Sequence, residues 1–398
     1  MSTEFDINTV RDHFPALKSG QIFFDNAGGS QVLDTVIESV RDYLANTNVQ
    51  LGATYGTSLK STFLYNEGYK TAAEYINATP EEVVIGSSTT QLFRNLSFAL
   101  NFKAGDEIII SRIDHETNID PWTDMAEHRG LVVKWWEPTN KESFRLEPKD
   151  LKPLLSSRTR MVTCTHASNV LGTINDIKAI AETVHDIPGA LMCVDGVAYA
   201  PHRQIDVKEL GVDFYAFSWY KVYGPHISML YGRKESQKSV RFLGHYFNPS
   251  STLQDKLALA GSSYELLHAI PAIVQYLGPD PEKMWQAIAA HEQKLAEVLL
   301  TYLTSRKDVR VYGERTADSK LRVPTISFTV EGKSSKAVVQ AAERGSNLGF
   351  RWGHYYSHRL VTEILGLDNE GVIRVSMVHY NTVEEVEQLV EKLKEVLA

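Results

Sequence analysis

The sequence predicts an α/β protein, with a mostly parallel sheet in a large domain and a smaller α+β C-terminal domain. Seven short and nearly continuous apolar runs recur between residues 82 and 232. Strands covered on both faces, as in parallel sheets, show such runs instead of strict alternation. Amphipathic stretches such as 174–186 separate the runs, and this alternation of strand and helix is typical of α/β domains.

Each apolar run is predicted to form one strand of the large sheet. The predicted strands are 82–86, 106–111, 131–136, 160–164, 190–195, 213–218 and 228–232. After about residue 268 the pattern changes. Residues 281–306 have the spacing of one long amphipathic helix. Residues 324–330 alternate like a half-exposed antiparallel strand.

A helix start signal lies near the end of the chain. Thr382 is followed three residues later by Glu385, a spacing that forms a capping box. Together with the change of pattern, this predicts two domains. The large domain is expected to span residues 18–268, and residues 1–17 and 269–398 are expected to form the small one.

Composition limits the function classes. The formal net charge is −8, so neither a nucleic acid nor an anionic membrane is expected as a partner.

Cys164 and Cys193 lie in apolar runs, which predicts buried strand thiols and excludes a disulfide framework. The histidines form no His/Cys cluster, so no metal site is predicted. The N-terminus lacks a signal-peptide core and no run is long enough to span a membrane, so we predict a cytoplasmic protein.

Lys221 stands out because it directly follows a predicted strand, in the stretch DFYAFSWYKVYGPH. Ser218 and Tyr220 supply hydroxyl groups to the same turn, and Gly224-Pro225 then breaks the chain. A lysine at a strand end can be an ordinary surface residue whose ammonium group reaches water. The setting also suits a lysine that must reach one fixed carbonyl group.

Other polar residues follow other strands. Asp195 ends the predicted strand 190–195, where a buried carboxylate is costly unless it is paired. It suits a protonated ring nitrogen, although helix capping or a salt bridge would also explain it. Thr89 and Thr90 stand between a strand and a helix. There, hydroxyl and free N–H groups can bind an anion or simply cap the helix.

His115 and Asn169 follow two further predicted strands. His115 can stack on a planar ring or serve as a hydrogen-bonded loop residue. Asn169 can bind a ring hydroxyl or shape a turn. Five strand ends thus carry hydroxyls, His, Asn, Asp and Lys in that order, and open α/β sheets bind ligands outside the carboxyl ends of their strands.

The motifs resemble those of the class V aminotransferase and cysteine desulfurase family over nearly the whole chain. The stretches that carry the resemblance are FFDNAGG, STTQ, DHETNIDPW, HASNVLGTI, VDGVAYAPH, FSWYKVYGPH and VSMVHYNTVEEV. The resemblance implies a fold-type I enzyme that uses pyridoxal 5'-phosphate (PLP) and acts on a small amino acid. It also implies a homodimer whose active sites are shared across the interface.

The same resemblance implies roles for single residues. The catalytic set would be Lys221 as Schiff-base lysine and proton shuttle, Asp195 at the pyridine nitrogen and His115 stacked on the ring. Asn169 would bind the ring hydroxyl. The phosphate ligands would be Thr89, Thr90, Ser218 and Tyr220, with Gly261 and Ser262 reaching the site of the partner subunit. Arg374 would bind the substrate α-carboxylate. The other substrate-binding candidates are Asn26, His354, Tyr355 and Tyr356, of which the last three could instead pack between the domains.

Two positions depart from the family pattern. Cysteine desulfurases carry a nucleophilic cysteine in a segment resembling R-x-G-H-H-C, whereas RWGHYYSH places Tyr356 at that position. A tyrosine cannot accept sulfur as a persulfide. Ala198 stands where the family tends to have glutamine, which removes one donor to the ring hydroxyl.

A narrower resemblance links KWW, GPH, HYF and VDFYAFSWYK to fungal PLP-dependent decarboxylative aldolases of the ustiloxin type. It implies β-decarboxylation of L-aspartate and addition of the resulting enamine to an aldehyde, giving a γ-hydroxy α-amino acid. The alternatives are cysteine desulfurase-like or cysteine sulfinate desulfinase activity, or an aminotransferase or epimerase on the same fold. The remaining alternative is a non-catalytic scaffold protein with this fold.

Overall fold

All seven apolar runs form strands, and these strands make up one sheet. The computed structural model describes residues 5–249 and 251–398. The strands are β1 (Ile22–Phe23), β2 (Val83–Gly86), β3 (Glu107–Ser111), β4 (Val132–Trp136), β5 (Thr159–Thr165), β6 (Leu191–Asp195), β7 (Phe214–Ser218), β8 (Ser228–Gly232), β9 (Val309–Tyr312), β10 (Thr325–Val330), β11 (Leu348–Gly349), β12 (Arg351–Gly353) and β13 (Val372–Ser376). The helices are α1 (Ile7–Asp12), α2 (Asp34–Asn46), α3 (Gly56–Glu74), α4 (Thr89–Ala99), α5 (Asp120–Arg129), α6 (Pro148–Leu151), α7 (Ile177–His185), α8 (Val207–Leu210), α9 (Leu253–Leu257), α10 (Tyr264–His268), α11 (Ile270–Leu277), α12 (Pro281–Ser305), α13 (Ser335–Glu343) and α14 (Val383–Val396).

The large sheet has the strand order β2-β8-β7-β6-β5-β3-β4. Strands β7, β6, β5, β3 and β4 run parallel, whereas β8 is antiparallel to both of its neighbours. This confirms the predicted α/β class with a mostly parallel sheet. Because parallel strands end at the same edge, the residues that follow β3, β5, β6 and β7 meet there.

Helices cover both faces of the large sheet. Ile108 and Ile110 of β3 belong to a buried cluster that includes Trp122 of α5, while Ile109 packs on the other face with Ile180 of α7. Alternate residues of one strand are therefore buried on opposite sides. This double coverage explains why the strands are almost continuously apolar.

The small sheet has the order β12-β13-β10-β9 and is antiparallel throughout. Ile326 and Phe328 of β10 pack into a second core with α12, α13 and α14. Ser327 faces the other way, is fully buried, and donates to the Val170 carbonyl oxygen at 2.6 Å. The prediction of a half-exposed strand at 324–330 is therefore wrong, because residues beyond β5 cover its polar face.

The helices predicted after residue 268 are confirmed. α12 spans 25 residues, and α14 is capped by Thr382, whose hydroxyl accepts a hydrogen bond from the Glu385 N–H at 3.1 Å. The division into domains at residue 268 stays a prediction. α11, which follows that point, packs in the core beneath the large sheet.

Both cysteines are fully buried in strands of the large sheet, as predicted. In the described part of the chain, no helix has the length and apolar character needed to cross a membrane. Residues 5–249 and 251–398 also contain no cluster of three His, Cys, Asp or Glu side chains suited to a metal ion.

A buried ion pair joins α12 to the loop after β6. Glu292 of α12 is 1% exposed and contacts His202 Nδ1 at 2.8 Å and Arg203 Nη1 at 2.7 Å. We expect Glu292→Ala to lower the free energy of unfolding by about 3 kcal/mol, because it leaves the Arg203 charge partly buried without its partner. Urea denaturation measures this.

Glu297 is the matched control for Glu292, because it is an exposed glutamate on the same helix. Glu297→Ala is expected to change the free energy of unfolding by less than about 0.5 kcal/mol. Equal effects of the two substitutions would show that the ion pair contributes nothing beyond helix propensity.

Candidate active site

The position of Lys221 is fixed by the turn that follows β7. A short 3-10 turn, Trp219–Lys221, comes directly after the strand. Tyr223 then adopts a left-handed backbone with φ of 58°, and its N–H donates to Ser30 Oγ at 2.8 Å. Such a conformation costs a non-glycine residue roughly 1–2 kcal/mol. The turn leaves the Lys221 side chain 7% exposed, at a cavity beyond the strand ends.

Asp195 faces the same cavity from the end of β6. Its Oδ1 accepts a hydrogen bond from the Val197 N–H at 2.9 Å. Burial raises the pKa of Asp195 to about 6, against the opposing effects of this hydrogen bond and of Lys221. Burial and the Arg374 charge lower the pKa of Lys221 to about 8. A buried acid and a buried base thus share one cavity.

The N-terminus of α4 supplies hydroxyl and N–H groups to this cavity. Ser88 caps the helix by accepting from the Gln91 N–H at 3.1 Å. The Thr89 and Ser218 hydroxyls lie 2.8 Å apart, and those of Thr90 and Thr117 lie 2.9 Å apart. Hydroxyls at the start of an 11-residue helix suit a phosphate group.

His115 also lines the cavity and is neutral near pH 7. Its Nδ1 accepts a hydrogen bond from the Thr117 N–H at 3.0 Å, so the ring proton is on Nε2. Burial, together with the charges of Lys221 and Arg374, lowers the pKa of His115 to about 3. A neutral, planar ring can cover the face of an aromatic cofactor.

Asn169 has a contact that its sequence position does not reveal. Its Nδ2 donates to the Tyr355 carbonyl oxygen at 2.9 Å, and its Oδ1 accepts from Ser357 Oγ at 3.0 Å. Asn169 therefore holds a segment that is more than 180 residues away in the sequence. One hydrogen of its amide is left for a ring hydroxyl.

The cavity consists of an inner and an outer part. The inner part is lined by Ser88, Thr89, Thr90, His115, Thr117, Thr165, Asn169, Asp195, Val197, Ala198, Ser218, Tyr220 and Lys221. The outer part is larger and shares several of these residues. It adds Arg351, Tyr355, Tyr356 and Arg374.

Arg374 enters the outer cavity from β13 and is 1% exposed. Its Nη2 contacts Asp25 Oδ1 at 2.8 Å, its Nη1 donates to the Asn169 carbonyl oxygen at 3.0 Å, and its Nε has no partner among the described residues. The guanidinium carbon lies 3.7 Å from the centre of the Tyr355 ring. A buried, preorganised guanidinium group suits a carboxylate.

A segment of seven residues, 353–359, contributes Tyr355 and Tyr356 to the lining of the outer cavity, and we call it the cover segment. Tyr355 and Tyr356 both have left-handed backbones, with φ of 54° and 57°. The Glu116 N–H donates to the Tyr356 carbonyl oxygen at 2.8 Å, and the Glu116 carboxylate pairs with Arg359. The Tyr356 ring lies 5.3 Å from His115. These contacts fix the segment against the large sheet.

Four predicted substrate or cofactor residues do not line either part of the cavity. Asn26 is 2% exposed, and its Nδ2 donates to the Phe23 and Ser376 carbonyl oxygens at 2.7 and 3.0 Å. His354 lies outside the lining, with its ring 4.8 Å from that of His358. Gly261 lines a separate groove.

Ser262 lines that same groove, together with Gly261 and Ser87. The expected contact of Gly261 and Ser262 with a partner subunit stays a prediction. Sequence reasoning missed Asp25 and Arg351, which complete the arginine cluster of the outer cavity. The only sequence signals were the carboxylate in FFDNAGG and the arginine in RWGHYYSH.

Comparison with known proteins assigns the family. The sequence model of the protein family described as "Aminotransferase class-V" matches residues 22–389. The chain belongs to this family. The aminotransferase-like protein FGM3 of Gibberella zeae is 58% identical over 400 residues, covering 100% of both chains. The cysteine desulfurase-like protein ustD of Aspergillus flavus is 40% identical, covering 98% of this chain and 91% of its own.

A solved structure shows the same fold. The apo cysteine desulfurase from Thermococcus onnurineus NA1 superposes with a TM-score of 0.89 at 25% identity, covering 99% of each chain. Members of the family depend on PLP. The site fits this cofactor, because it offers a carboxylate for the ring nitrogen, an amine for the aldehyde and a helix N-terminus for the phosphate.

We expect capture of PLP by the cofactor-free protein to accelerate with pH through about 8. Only the neutral amine of Lys221 attacks an aldehyde, and its lowered pKa makes that form available about two pH units below an exposed lysine. Stopped-flow absorbance at several pH values measures the rate. Lys221→Ala should show no capture at this site, and a rate that rises only near pH 10 would contradict the burial of the amine.

We also expect Glu116→Gln to speed hydrogen exchange of the cover-segment amides roughly tenfold, because a charge-assisted contact worth about 1.4 kcal/mol is lost. Mass spectrometry of peptides covering residues 353–359 measures this. Glu127→Gln is the control, since Glu127 is an exposed glutamate of α5. Unchanged protection in Glu116→Gln would show that other contacts hold the segment.

Proposed function

We propose that this protein is a PLP-dependent lyase that removes the β-carboxylate of L-aspartate and adds the remaining carbon nucleophile to an aldehyde. The observation that carries the proposal is the absence of a usable thiol. Both cysteines of the chain are fully buried in strands, and burial raises the pKa of each thiol. Tyr356 lies at the outer cavity, in the segment RWGHYYSH, where the resemblance to cysteine desulfurases would place their nucleophilic cysteine. A β-carboxylate leaves as carbon dioxide and needs no thiol.

When bound, PLP supplies an aldehyde for the substrate amine and an electron sink for charge that develops at Cα and Cβ. Asp195 would keep the ring nitrogen protonated, which strengthens that sink. Lys221 would hold the aldehyde in the resting enzyme and, as a free amine with a pKa near neutrality, move the Cα proton.

The remaining side chains would orient the reacting groups. Arg374 would bind the α-carboxylate, and His115 would cover one face of the ring while staying neutral. Thr89, Thr90 and Ser218 would bind the phosphate. The cover segment would limit the entry of water, which favours capture of an aldehyde over protonation at Cβ.

Similarity to ustD supports the proposal, since both chains match over almost their whole length. The name of that relative, cysteine desulfurase-like protein, indicates the family and does not specify this reaction. Desulfination of cysteine sulfinate is the second candidate, because sulfur dioxide also leaves without a thiol.

We further propose a homodimer of cytoplasmic location. Helices α2 and α3 expose apolar side chains, namely Ile37, Leu44, Leu59 and Phe63, each between 46% and 61% exposed. Leu59 and Phe63 lie one turn apart on α3, and exposed apolar side chains grouped in this way suit a subunit interface.

With L-aspartate and an aldehyde, we expect the purified holoenzyme to release one carbon dioxide per γ-hydroxy α-amino acid formed. Without an aldehyde, protonation at Cβ should give L-alanine. Carbon-13 NMR with labelled aspartate follows both products, and Lys221→Ala should abolish them. Release of sulfide from L-cysteine, with no reaction of aspartate, would overturn the proposal. Sulfite and alanine from cysteine sulfinate alone would favour the second candidate.

A further inference from the structure

The small sheet places a second arginine beside Arg374. Arg351 of β12 stands directly opposite Arg374 of β13 in the antiparallel register. Side chains that are directly opposite share one face of the sheet, with Cβ atoms roughly 5 Å apart. Like charges in this arrangement destabilise a sheet. The pair therefore works against folding and requires an anionic partner.

Asp25 lies between the two arginines. Its Oδ1 contacts Arg374 Nη2 at 2.8 Å, and its Oδ2 contacts Arg351 Nε at 2.6 Å. One carboxylate carries one negative charge, so it balances only one of the two guanidinium groups. Within the described residues, no other carboxylate forms an ion pair with Arg351 or Arg374.

The terminal nitrogens of Arg351 are available at the outer cavity. The side chain is 56% exposed and lines this cavity together with Lys221. Arg351 binds Asp25 through Nε, and in the described part of the chain neither Nη1 nor Nη2 has a hydrogen-bond partner. A Cβ at Gly28 would lie 3.4 Å from Arg351 Nη2. The glycine therefore leaves room beside the guanidinium group.

We propose that Arg351 binds the acidic side chain of the amino substrate, so that the site selects amino acids with a short side-chain acid. Arg374 takes the α-carboxylate, and Arg351 takes the distal carboxylate or sulfinate. Because one carboxylate of Asp25 contacts both guanidinium groups, a small diacid can bridge them. This inference rests on the proposed function, which assigns Arg374 to the α-carboxylate.

Binding of the distal carboxylate by Arg351 is consistent with the release of carbon dioxide. When the Cβ–Cγ bond breaks, its electron pair stays on Cβ and carbon dioxide forms. Carbon dioxide carries no charge, so its attraction to Arg351 is lost at that step. A monocarboxylic amino acid leaves the terminal nitrogens of Arg351 to water and gains nothing from them.

Arg94 is the competing arginine. It also lines the outer cavity, but it belongs to α4, is 51% exposed and lies 3.8 Å from Asp124. It has no contact with the cluster formed by Asp25, Arg351 and Arg374. Comparing the two arginines therefore tests position and not charge alone.

The test compares the binding of succinate and butyrate to the PLP-loaded protein by isothermal titration calorimetry. We expect the wild type to bind the diacid roughly tenfold more tightly, the size of one charge-assisted contact at a half-exposed arginine. Arg351→Gln should remove this preference and leave the butyrate affinity within twofold. Arg351→Lys keeps the charge and should retain part of the preference.

Arg94→Gln is the control, and it should keep the succinate preference. A preference that survives in Arg351→Gln, or one that is lost in Arg94→Gln instead, would overturn the assignment. If Arg351→Gln loads PLP poorly, Arg351→Lys serves as the test instead. A lysine keeps the positive charge but lacks the planar guanidinium group. An undiminished succinate preference in Arg351→Lys would therefore contradict binding through the terminal nitrogens of Arg351.

Succinate binding and carbon dioxide release together separate the role of Arg351 from the proposed reaction. Loss of the succinate preference in Arg351→Gln, without carbon dioxide release from aspartate, supports the acid-binding role and rejects aspartate as the substrate. Carbon dioxide release with an unchanged preference supports the reaction and rejects the role of Arg351.

Discussion

The site depends on the burial of a lysine and an aspartate at two neighbouring strand ends. Taking charged groups out of water is costly, and each group shifts its pKa toward the neutral form. The surrounding structure offsets this cost through the Val197 N–H, the mutual attraction of Lys221 and Asp195, and a turn that holds the lysine in place. A parallel sheet provides this arrangement because its strand ends converge at one edge.

Local sequence predicted the large sheet well. Every predicted strand was found within one residue at each end, because coverage on both faces leaves a continuous apolar run that needs no tertiary information. Strand 324–330 shows the limit of this reasoning. Its alternation correctly indicated an antiparallel strand, but whether Ser327 meets water or protein depends on how the two sheets pack.

The site was predicted in part, and for a related reason. Lys221, Asp195, His115 and Asn169 follow strands and converge on one cavity. Asp25 and Arg351 were missed because the contact between them spans more than 300 residues of sequence. Cross-strand register brings Arg351 opposite Arg374, and no local pattern encodes that register. Asn169 was found, but its hydrogen bonds to the cover segment were not.

The polar face of the small sheet is bonded to the loop that follows β5 of the large sheet. Ser327 and Arg374 on that face donate to the carbonyl oxygens of Val170 and Asn169, in the loop after β5. Rotation of the small sheet away from the large one would break both bonds and carry Arg374 away from Lys221. With the two sheets held together in this way, substrate and product of the proposed reaction would pass along the outer cavity, past the exposed ring of Tyr356. Under the proposed function, the mouth of the outer cavity, and not the opening of a cleft between the two sheets, would limit which aldehydes can reach Lys221.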